Sequence, residues 1–327
     1  MSRPAPVALF AYNRPEHLSR TITALAANDL ASDTEVYVYC DGPRGSADEA
    51  DVCRVREVAR AARGFASVRV VERPGNVGLA RSVISGVSET VEEHGRTIVL
   101  EDDLVTSPYF LRFMNAALEH YEHEKRVVSI SGYTFPVAGP LPETFFMPGA
   151  FCWGWATWRR GWALFEHDAR RVLDEIVRRD LIYEFDFRGT DPLTKLLHRT
   201  AIGDARADSW ATRWIGAAFL RGKLTLYPGK SLIANTGFDG SGRHAPRELR
   251  YATELATTCP RVGTVATEVD PEVILRHRAL FASWRARGNP WLRAYYRLKS
   301  VMPARLEKRI YTTVVRRRLR KIEHARR

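Results

Sequence analysis

Residues 97–103 read Thr-Ile-Val-Leu-Glu-Asp-Asp, so three consecutive carboxylates directly follow a short apolar run. A run of this kind, ended by polar residues, predicts a buried β-strand. Carboxylates this close repel one another, and a divalent cation would relieve the repulsion. Oxygen ligands on one short segment suit Mg²⁺ or Mn²⁺, which keep positions open for phosphate oxygens. The stretch therefore predicts a metal site at the end of a strand, with a solvated acidic turn or a helix N-terminus as the alternative.

Strand-like and helix-like patterns alternate on both sides of this stretch. Apolar runs predict strands at residues 6–12, 35–40, 67–71, 97–100, 126–131, 224–227 and 231–234. Helical spacing of apolar residues predicts helices at 16–28, 47–62, 109–122 and from 76 to about 93. Between them, residues 132–165 are rich in glycine, proline and aromatic side chains. The alternation predicts an α/β fold whose sheet is mostly parallel and flanked by helices.

Polar side chains follow three of the predicted strands. Asn13 and Arg14 follow the first strand, Asp41 follows the second, and Glu101, Asp102 and Asp103 follow the fourth. In sheets of this type, ligands bind outside the carboxyl ends of the strands. We therefore expect these residues to lie close together around a ligand.

Several segments, taken in order, resemble GT-A glycosyltransferases over about residues 6–245. The segments are 10–14 (Phe-Ala-Tyr-Asn-Arg), 39–42 (Tyr-Cys-Asp-Gly), 76–81 (Asn-Val-Gly-Leu-Ala-Arg), 99–104 with 107–110, 152–155 (Cys-Trp-Gly-Trp) and 208–210 (Asp-Ser-Trp). The Glu-Asp-Asp variant of the Asp-x-Asp motif resembles that of the N-acetylglucosaminyltransferase I-like family and of bacterial family-2-type glycosyltransferases. The resemblance implies a GT-A fold, which is Rossmann-like with a mostly parallel mixed sheet, and use of a UDP-sugar with Mn²⁺ or Mg²⁺.

For the metal, the resemblance implies roles at four positions. Asp103 would ligate the ion directly, while Glu101 and Asp102 would support the donor ribose and the surroundings of the ion. His244 would complete the coordination from the glycine-rich stretch 240–244, which we expect to close over the diphosphate as a lid.

For the donor, the resemblance implies that Asn13, Arg14 and Asp41 contact the uridine and that Arg81 contacts the diphosphate or the donor sugar. Each position has a structural alternative. Asp41, in Asp-Gly-Pro, is also typical of a turn, and Asn76 could cap the helix that follows it. Arg14 and Arg81 could be ordinary surface cations, although a guanidinium fits phosphate geometry well.

For catalysis, the resemblance implies that Asp208 is the general base of an inverting transfer. The metal would neutralise the leaving diphosphate, so one carboxylate suffices. A structural aspartate at the start of a helix at 211–220 is the alternative, and Asp204 is the rival base. Trp153 and Trp155 are predicted to stack on the acceptor sugar, with core packing as the alternative.

The formal net charge of +12 arises at the C-terminus. Fifteen Lys and Arg against two Asp and Glu lie from residue 285 onward, while the preceding residues carry 35 against 36. We predict a nucleotide-sugar-binding half at 1–130, an acceptor-binding and catalytic half of the same domain at 131–250, and a basic helical extension at 251–327. Aromatic residues among the basic ones favour peripheral contact with anionic lipid over nucleic-acid binding. Packing of the extension on the body or on a second subunit, as in a homodimer, is the alternative.

Together these features predict a metal-dependent glycosyltransferase that moves a sugar from a UDP-sugar, such as UDP-GlcNAc, to a hydroxyl of a saccharide acceptor. The alternatives are a sugar-phosphate nucleotidylyltransferase and a non-catalytic, membrane-associated sugar-binding protein. Residues 12–15, Tyr-Asn-Arg-Pro, argue against the former, because they lack its glycine-rich phosphate loop. Four scattered cysteines and the lack of an apolar leader or spanning segment favour a cytoplasmic location, with the inner face of the membrane as a place of contact.

Overall fold

The computed structural model describes residues 3–204, 207–240, 248–300 and 302–324, without the side chains of 297, 298, 300 and 322–324. The strands are β1 (Val7–Ala11), β2 (Glu35–Cys40), β3 (Ser67–Glu72), β4 (Arg96–Glu101), β5 (Leu104–Thr106), β6 (Val127–Ser131), β7 (Thr144–Pro148), β8 (Trp155–Trp158), β9 (Leu224–Pro228) and β10 (Ile233–Asn235). The α-helices are α1 (Pro15–Ala26), α2 (Ser46–Ala61), α3 (Leu79–His94), α4 (Phe110–His120), α5 (Arg159–Trp162), α6 (Ala169–Arg178), α7 (Ile182–Phe185), α8 (Leu193–Ala201), α9 (Trp210–Leu220), α10 (Pro271–Ala286), α11 (Pro290–Ser300) and α12 (Ala304–His324).

Eight strands form one sheet in the order β3-β2-β1-β4-β8-β6-β9-β7. Strands β3, β2, β1 and β4 are parallel, with Leu9 opposite Leu100 where β1 pairs with β4. Strands β8 and β7 run antiparallel to their neighbours, whereas β9 is parallel to β6. The predicted α/β fold with a mostly parallel mixed sheet is therefore confirmed.

Helices cover both faces of the sheet, and strand β1 shows why the sequence requires this. Its alternate residues Val7, Leu9 and Ala11 enter one apolar cluster, whereas Ala8 and Phe10 enter another. Successive side chains of a strand point to opposite faces, so a strand that is apolar throughout must be covered twice. Helices α1 and α4 bury their apolar faces in the first cluster and α3 buries its face in the second.

Three strands, β5, β7 and β8, were absent from the sequence-based prediction. Strands β7 and β8 lie within the aromatic-rich stretch 132–165, and β8 sits between β4 and β6 at the centre of the sheet. All four residues of β8 are buried, so they show no polar alternation by which the sequence could reveal a strand. Strand β10 pairs antiparallel with β5 in a separate two-stranded sheet rather than beside β9.

The C-terminal extension is helical, as expected, and one of its faces packs on the body. Tyr311, Val315 and Leu319 of α12 join the apolar cluster formed by α6, α7 and α8. At the start of α12 the buried Glu307 pairs with Lys299 at 2.8 Å. Within the described residues, no helix is both long and apolar enough to cross a membrane. The predicted division at residues 130 and 250 stays a prediction, although strands from both sides of residue 130 share the eight-stranded sheet.

Candidate active site

The three carboxylates lie where strand β4 ends, and Arg14 reaches them from the end of β1. Arg14 Nη2 donates to Asp102 Oδ1 and, at 2.8 Å, to Asp103 Oδ2. Thr21 of α1 donates to the backbone oxygen of Asp102 at 2.7 Å, which ties the strand end to the helix. The side chain of Asp103 is 15% exposed and that of Asp102 is 6% exposed. Asp103 is thus the better placed of the two to meet a ligand.

One guanidinium does not offset the charge of three carboxylates. Burial, and then repulsion from Asp103 and Asp102, raises the pKa of Glu101 well above its ordinary value. Burial also raises the pKa of Asp102, although the attraction of Arg14 opposes this shift. The raised pKa values reflect an excess of negative charge with little access to water, which is the environment that favours a bound cation.

The segment that follows β10 covers Asp103. The backbone N–H and the hydroxyl of Thr236 donate to the backbone oxygen of Asp103 at 2.8 and 3.0 Å. Gly237 lies so close that a Cβ at this position would clash with Asp103 Oδ2 and stand 3.2 Å from Arg14 Nη1. Only a glycine leaves room for the ion pair beneath this segment.

A cleft of about 670 Å³ opens beside Arg14. Its walls are formed by α1 and the residues before it, together with Asp51 of α2 and Asp239 after β10. The lining residues from α1 and the residues before it are Asn13, Arg14, Pro15, Glu16, His17 and Arg20. His17 Nε2 stands 3.0 Å from Asp239 Oδ2, so a contact joins α1 to the segment after β10. The predicted donor residues Asn13 and Arg14 therefore share this cleft, with His17 and Asp239 beside them.

Asp41 organises the backbone at the end of β2. Its buried carboxylate accepts hydrogen bonds from the backbone N–H groups of Gly42, Val77 and Gly78 at 2.9–3.0 Å. These contacts hold the segment before α3 against the end of β2. The carboxylate thus serves as a structural acceptor here, and its contact with uridine stays a prediction.

Two other predicted positions lie on the same side of the sheet. Asn76 donates to the backbone oxygen of Gly42 at 3.0 Å and accepts from Arg44, so its side chain bridges two loops and does not cap α3. The capping alternative is therefore wrong, and Gly78 holds the N-cap position. Arg81 is exposed in the first turn of α3, where it is open to an anionic ligand.

Asp208 precedes helix α9, whose N-cap is Ser209. The side chain of Asp208 is 62% exposed and pairs with Arg213 at 3.1 Å. Trp210, the first residue of α9, stacks on Trp155 with ring centroids 5.6 Å apart, which anchors this end of the helix in the core. Both Asp208 and the rival Asp204 are ion-paired, Asp204 with Arg199 at 2.8 Å, but Asp204 is only 25% exposed.

The two predicted acceptor tryptophans have different surroundings. Trp155 is completely buried and contacts Trp162, Trp210 and Trp214, so it has no exposed face on which a sugar could stack. This is a correction to the acceptor role expected for Trp155, and the core alternative describes its position. Trp153 is only half-buried, and its ring contacts Phe238, which follows Gly237 beside Asp103.

Sequence reasoning missed His17, Asp239 and Arg44. His17 lies on the inner face of α1 close to the end of β1, a position that could have suggested it. Arg44 stands over the ring of Tyr12 at 5.1 Å, and neither it nor Asp239 belongs to a recognisable motif. His244 lies outside the described residues. Within the described ranges, no group of three or more His, Cys, Asp or Glu side chains is arranged to hold a metal ion by itself.

Comparison with known proteins agrees with this geometry. Residues 4–129 match the family described as glycosyltransferase like family 2. The predicted GT-A glycosyltransferase resemblance is confirmed. The match supports glycosyltransferase activity, the enzyme class predicted from the sequence, and it covers the strands that carry Arg14, Asp41 and Asp103. The closer resemblance to the N-acetylglucosaminyltransferase I-like family stays a prediction. No curated protein sequence matches the chain.

Similar solved structures include two of TarS from S. aureus and one mannosyltransferase. TarS 1–349 has 11% identity and a TM-score of 0.40 over 71% of this chain and 60% of TarS 1–349. A longer TarS structure has 11% identity and a TM-score of 0.37 over 72% of this chain and 37% of its own. The chain thus spans only part of the length of these two structures. PcManGT from Pyrobaculum calidifontis, solved with GDP-Man and Mn²⁺, has 12% identity and a TM-score of 0.35 over 96% of this chain and 87% of its own.

Proposed function

We propose that this protein is a nucleotide-sugar-dependent glycosyltransferase that binds its donor across the carboxyl ends of β1, β2 and β4. The observation that carries the proposal is the meeting of Arg14 with Asp102 and Asp103 beside a cleft, within the region that matches a glycosyltransferase family. Ligands of open parallel sheets bind at this edge. A UDP-sugar, with UDP-GlcNAc among the candidates, is the donor class that we infer from the motif resemblance.

The residues fit a divalent cation held jointly with the donor. Mg²⁺ and Mn²⁺ are commonly bound by one or two carboxylates together with substrate phosphates, and they do not need a complete cage of protein ligands. Asp103, the more exposed carboxylate, would hold the ion, with Asp102 and Glu101 behind it. When bound, the ion would neutralise charge on the leaving diphosphate. The predicted contribution of His244 remains part of this proposal.

Asp208 would act as the general base of an inverting transfer. Its carboxylate would accept the proton of the acceptor hydroxyl while the hydroxyl oxygen bonds to the anomeric carbon. The bond between that carbon and the diphosphate oxygen breaks, and the nucleoside diphosphate leaves with the electron pair. The exposure of Asp208 supports this role, because a base must be able to reach an incoming acceptor.

The acceptor would be a saccharide or a glycosylated molecule that passes Trp153. This half-buried ring and its neighbour Phe238 form an aromatic wall next to the segment that covers Asp103. Aromatic rings provide large apolar contact surfaces, and the apolar faces of sugars match them. The half-buried position of Trp153 supports its role, whereas Trp155 would act only by holding α9 in place.

We also propose peripheral contact with an anionic membrane through the exposed side of α12. Leu306, Ile310 and Val314 are 47%, 42% and 42% exposed and follow one another at intervals of four residues, along one helix face. The basic residues 316–318, 320 and 321 follow on the same helix. An apolar stripe with neighbouring cations is typical of helices that lie in the lipid interface. A homodimer formed through the same stripe is the competing arrangement.

The test of the enzymatic proposal compares donor binding with turnover. Purified protein is screened by thermal shift against UDP-, GDP- and TDP-sugars with and without Mn²⁺, since a bound ligand raises the apparent melting temperature. We expect stabilisation by one nucleotide class and a dependence on Mn²⁺. Hydrolysis or transfer of the selected donor then measures activity.

Two matched aspartate variants test the base. Asp208→Asn should keep the thermal shift caused by donor and Mn²⁺ but lose turnover by about 100-fold or more, as expected for removal of a general base. Asp204→Asn should retain both, because the side chain of Asp204 is only 25% exposed, against 62% for Asp208. Normal turnover by Asp208→Asn would refute its role. A protein that binds donor but transfers to no acceptor would instead be a sugar-binding module.

A further inference from the structure

Arg14 contacts two carboxylates of the acidic triplet. Its Nη2 donates both to Asp102 Oδ1 and to Asp103 Oδ2, the two carboxylates nearest to it. A guanidinium stays charged in proteins, so Arg14 serves as the counter-ion of this site.

No other cation within the described part of the chain lies within ion-pair distance of the three carboxylates. The positive charge of Arg14 is thus the nearby charge that offsets the carboxylates of Glu101, Asp102 and Asp103. A metal ion that enters Asp103 must share its carboxylate with the guanidinium or displace it, because both are attracted by the same oxygen atoms. The metal ion and the guanidinium would also repel each other if both were bound to the same carboxylate.

The surroundings of Arg14 favour displacement over sharing. Gly237 covers the ion pair so closely that a Cβ there would stand 3.2 Å from Arg14 Nη1, which leaves little room for both cations beneath it. On its other side Arg14 lines the cleft that also contains Asn13 and Arg20. Its side chain is 20% exposed, so a path into the cleft is open to the guanidinium.

We propose that Arg14 is a built-in counter-ion that competes with the divalent cation for Asp102 and Asp103 and moves onto the donor's diphosphate when the cation binds. This role rests on the metal-dependent donor binding proposed above, and it makes the binding of the cation depend on the binding of the nucleotide. The cation binds weakly alone and tightly with the nucleotide, because the diphosphate offers the displaced guanidinium a new anionic partner. Arg14 is in this sense a positioning residue for the metal and the donor.

The test measures Mn²⁺ affinity by isothermal titration calorimetry, first without nucleotide and then with saturating UDP. In the unmodified protein we expect UDP to increase the affinity for Mn²⁺ at least tenfold, and Mn²⁺ to increase the affinity for UDP by the same factor. Arg14→Ala should bind Mn²⁺ alone at least tenfold more tightly than the unmodified protein, and UDP should add much less. Arg14→Lys, which keeps the charge, should return towards the unmodified pattern.

Arg112→Ala is the matched control, since it removes an arginine that pairs with an aspartate, Asp29, outside the cleft and leaves the partner of Asp102 and Asp103 in place. It should leave the affinity for Mn²⁺ alone unchanged. Thermal melting without metal gives a second readout that does not depend on catalysis. Arg14→Ala should melt below the unmodified protein and gain more from Mn²⁺, because its carboxylates have lost their cation.

Three outcomes would overturn the counter-ion role. If Arg14→Ala and the unmodified protein bound Mn²⁺ alone with equal affinity, the counter-ion role would be refuted, while the proposed metal binding would stand. If the unmodified protein bound Mn²⁺ tightly and UDP did not change this affinity, the counter-ion role would also be refuted. This result can be obtained even if Arg14→Ala fails to fold. If no protein bound Mn²⁺ with or without UDP, both the counter-ion role and the proposed metal dependence would fall.

Discussion

Replacing Gly237 by alanine should disturb the site through a single methyl group. The added Cβ would clash with Asp103 Oδ2 and lie 2.8 Å from Asp103 Cγ. Non-bonded carbon atoms prefer separations of about 3.5–4 Å, so the carboxylate or the covering segment must move by about 1 Å. Such a movement breaks the 2.8 Å contact between Arg14 and Asp103. The backbone of Gly237 lies outside the left-handed region, so the cost is steric rather than conformational.

Two magnitudes follow from this displacement. Overpacking of this kind costs about 1–3 kcal/mol in the free energy of unfolding, which lowers the melting temperature by several degrees. Displacement of Asp103 also removes the carboxylate from the proposed cation, and a lost contact to a charged group costs about 1.5–3 kcal/mol, so affinity for donor with Mn²⁺ should fall about tenfold or more. Both changes arise from the same methyl group and should appear together.

The assay combines thermal melting with titration of UDP in the presence of Mn²⁺. Gly75→Ala is the control, because a Cβ at Gly75 meets nothing within 4 Å and its backbone lies outside the left-handed region. We expect this control to behave like the unmodified protein in both measurements. If Gly237→Ala bound UDP and Mn²⁺ as the control does, Asp103 would not be the ligand-facing carboxylate and the reasoning would be refuted.

Three further predictions concern stability and surface contact. Burial raises the pKa of Asp186 to about 7, so folding takes up a proton, and its contribution to stability is complete at low pH and is lost as pH rises towards 7. Asp186→Asn should therefore gain in melting temperature over the unmodified protein as pH rises from 5 to 8, and a constant difference would contradict this. Lys299→Met removes a partner of the buried Glu307 and should cost about 3 kcal/mol in urea unfolding, against less than about 1 kcal/mol for Lys308→Met at a more exposed pair. Equal costs would show that burial does not strengthen the pair that joins α11 to α12. Ile310→Glu should weaken sedimentation with anionic vesicles but not change the behaviour with neutral ones, and unaltered binding to anionic vesicles would argue against the membrane-facing stripe.

The strands and helices of the first hundred residues were predictable because their patterns are local. Strand β2 begins and ends at the predicted residues, and α2 and β4 differ from prediction by one or two residues. Parallel strands end at one edge of the sheet, so the positions of the strand ends place Arg14, Asp41 and Asp103 at that edge. Spacing along the chain was sufficient for this placement, but it did not indicate which of these side chains pair.

The remaining features depend on contacts between residues far apart in the chain. The sequence contains Gly237 and Asp103, but only the pairing of β10 with β5 places one on the other. The two tryptophans of 152–155 look alike in the sequence, yet packing against α9 buries Trp155 and leaves Trp153 beside Phe238.

The sequence by itself determined that three carboxylates end a buried strand, because an apolar run and the residues after it are read locally. Only the tertiary structure decided that Arg14 is the ion-pair partner of two of them, Asp102 and Asp103. The physical reason is that an ion pair across 88 positions is formed by the packing of β1 against β4, and no local pattern encodes that contact.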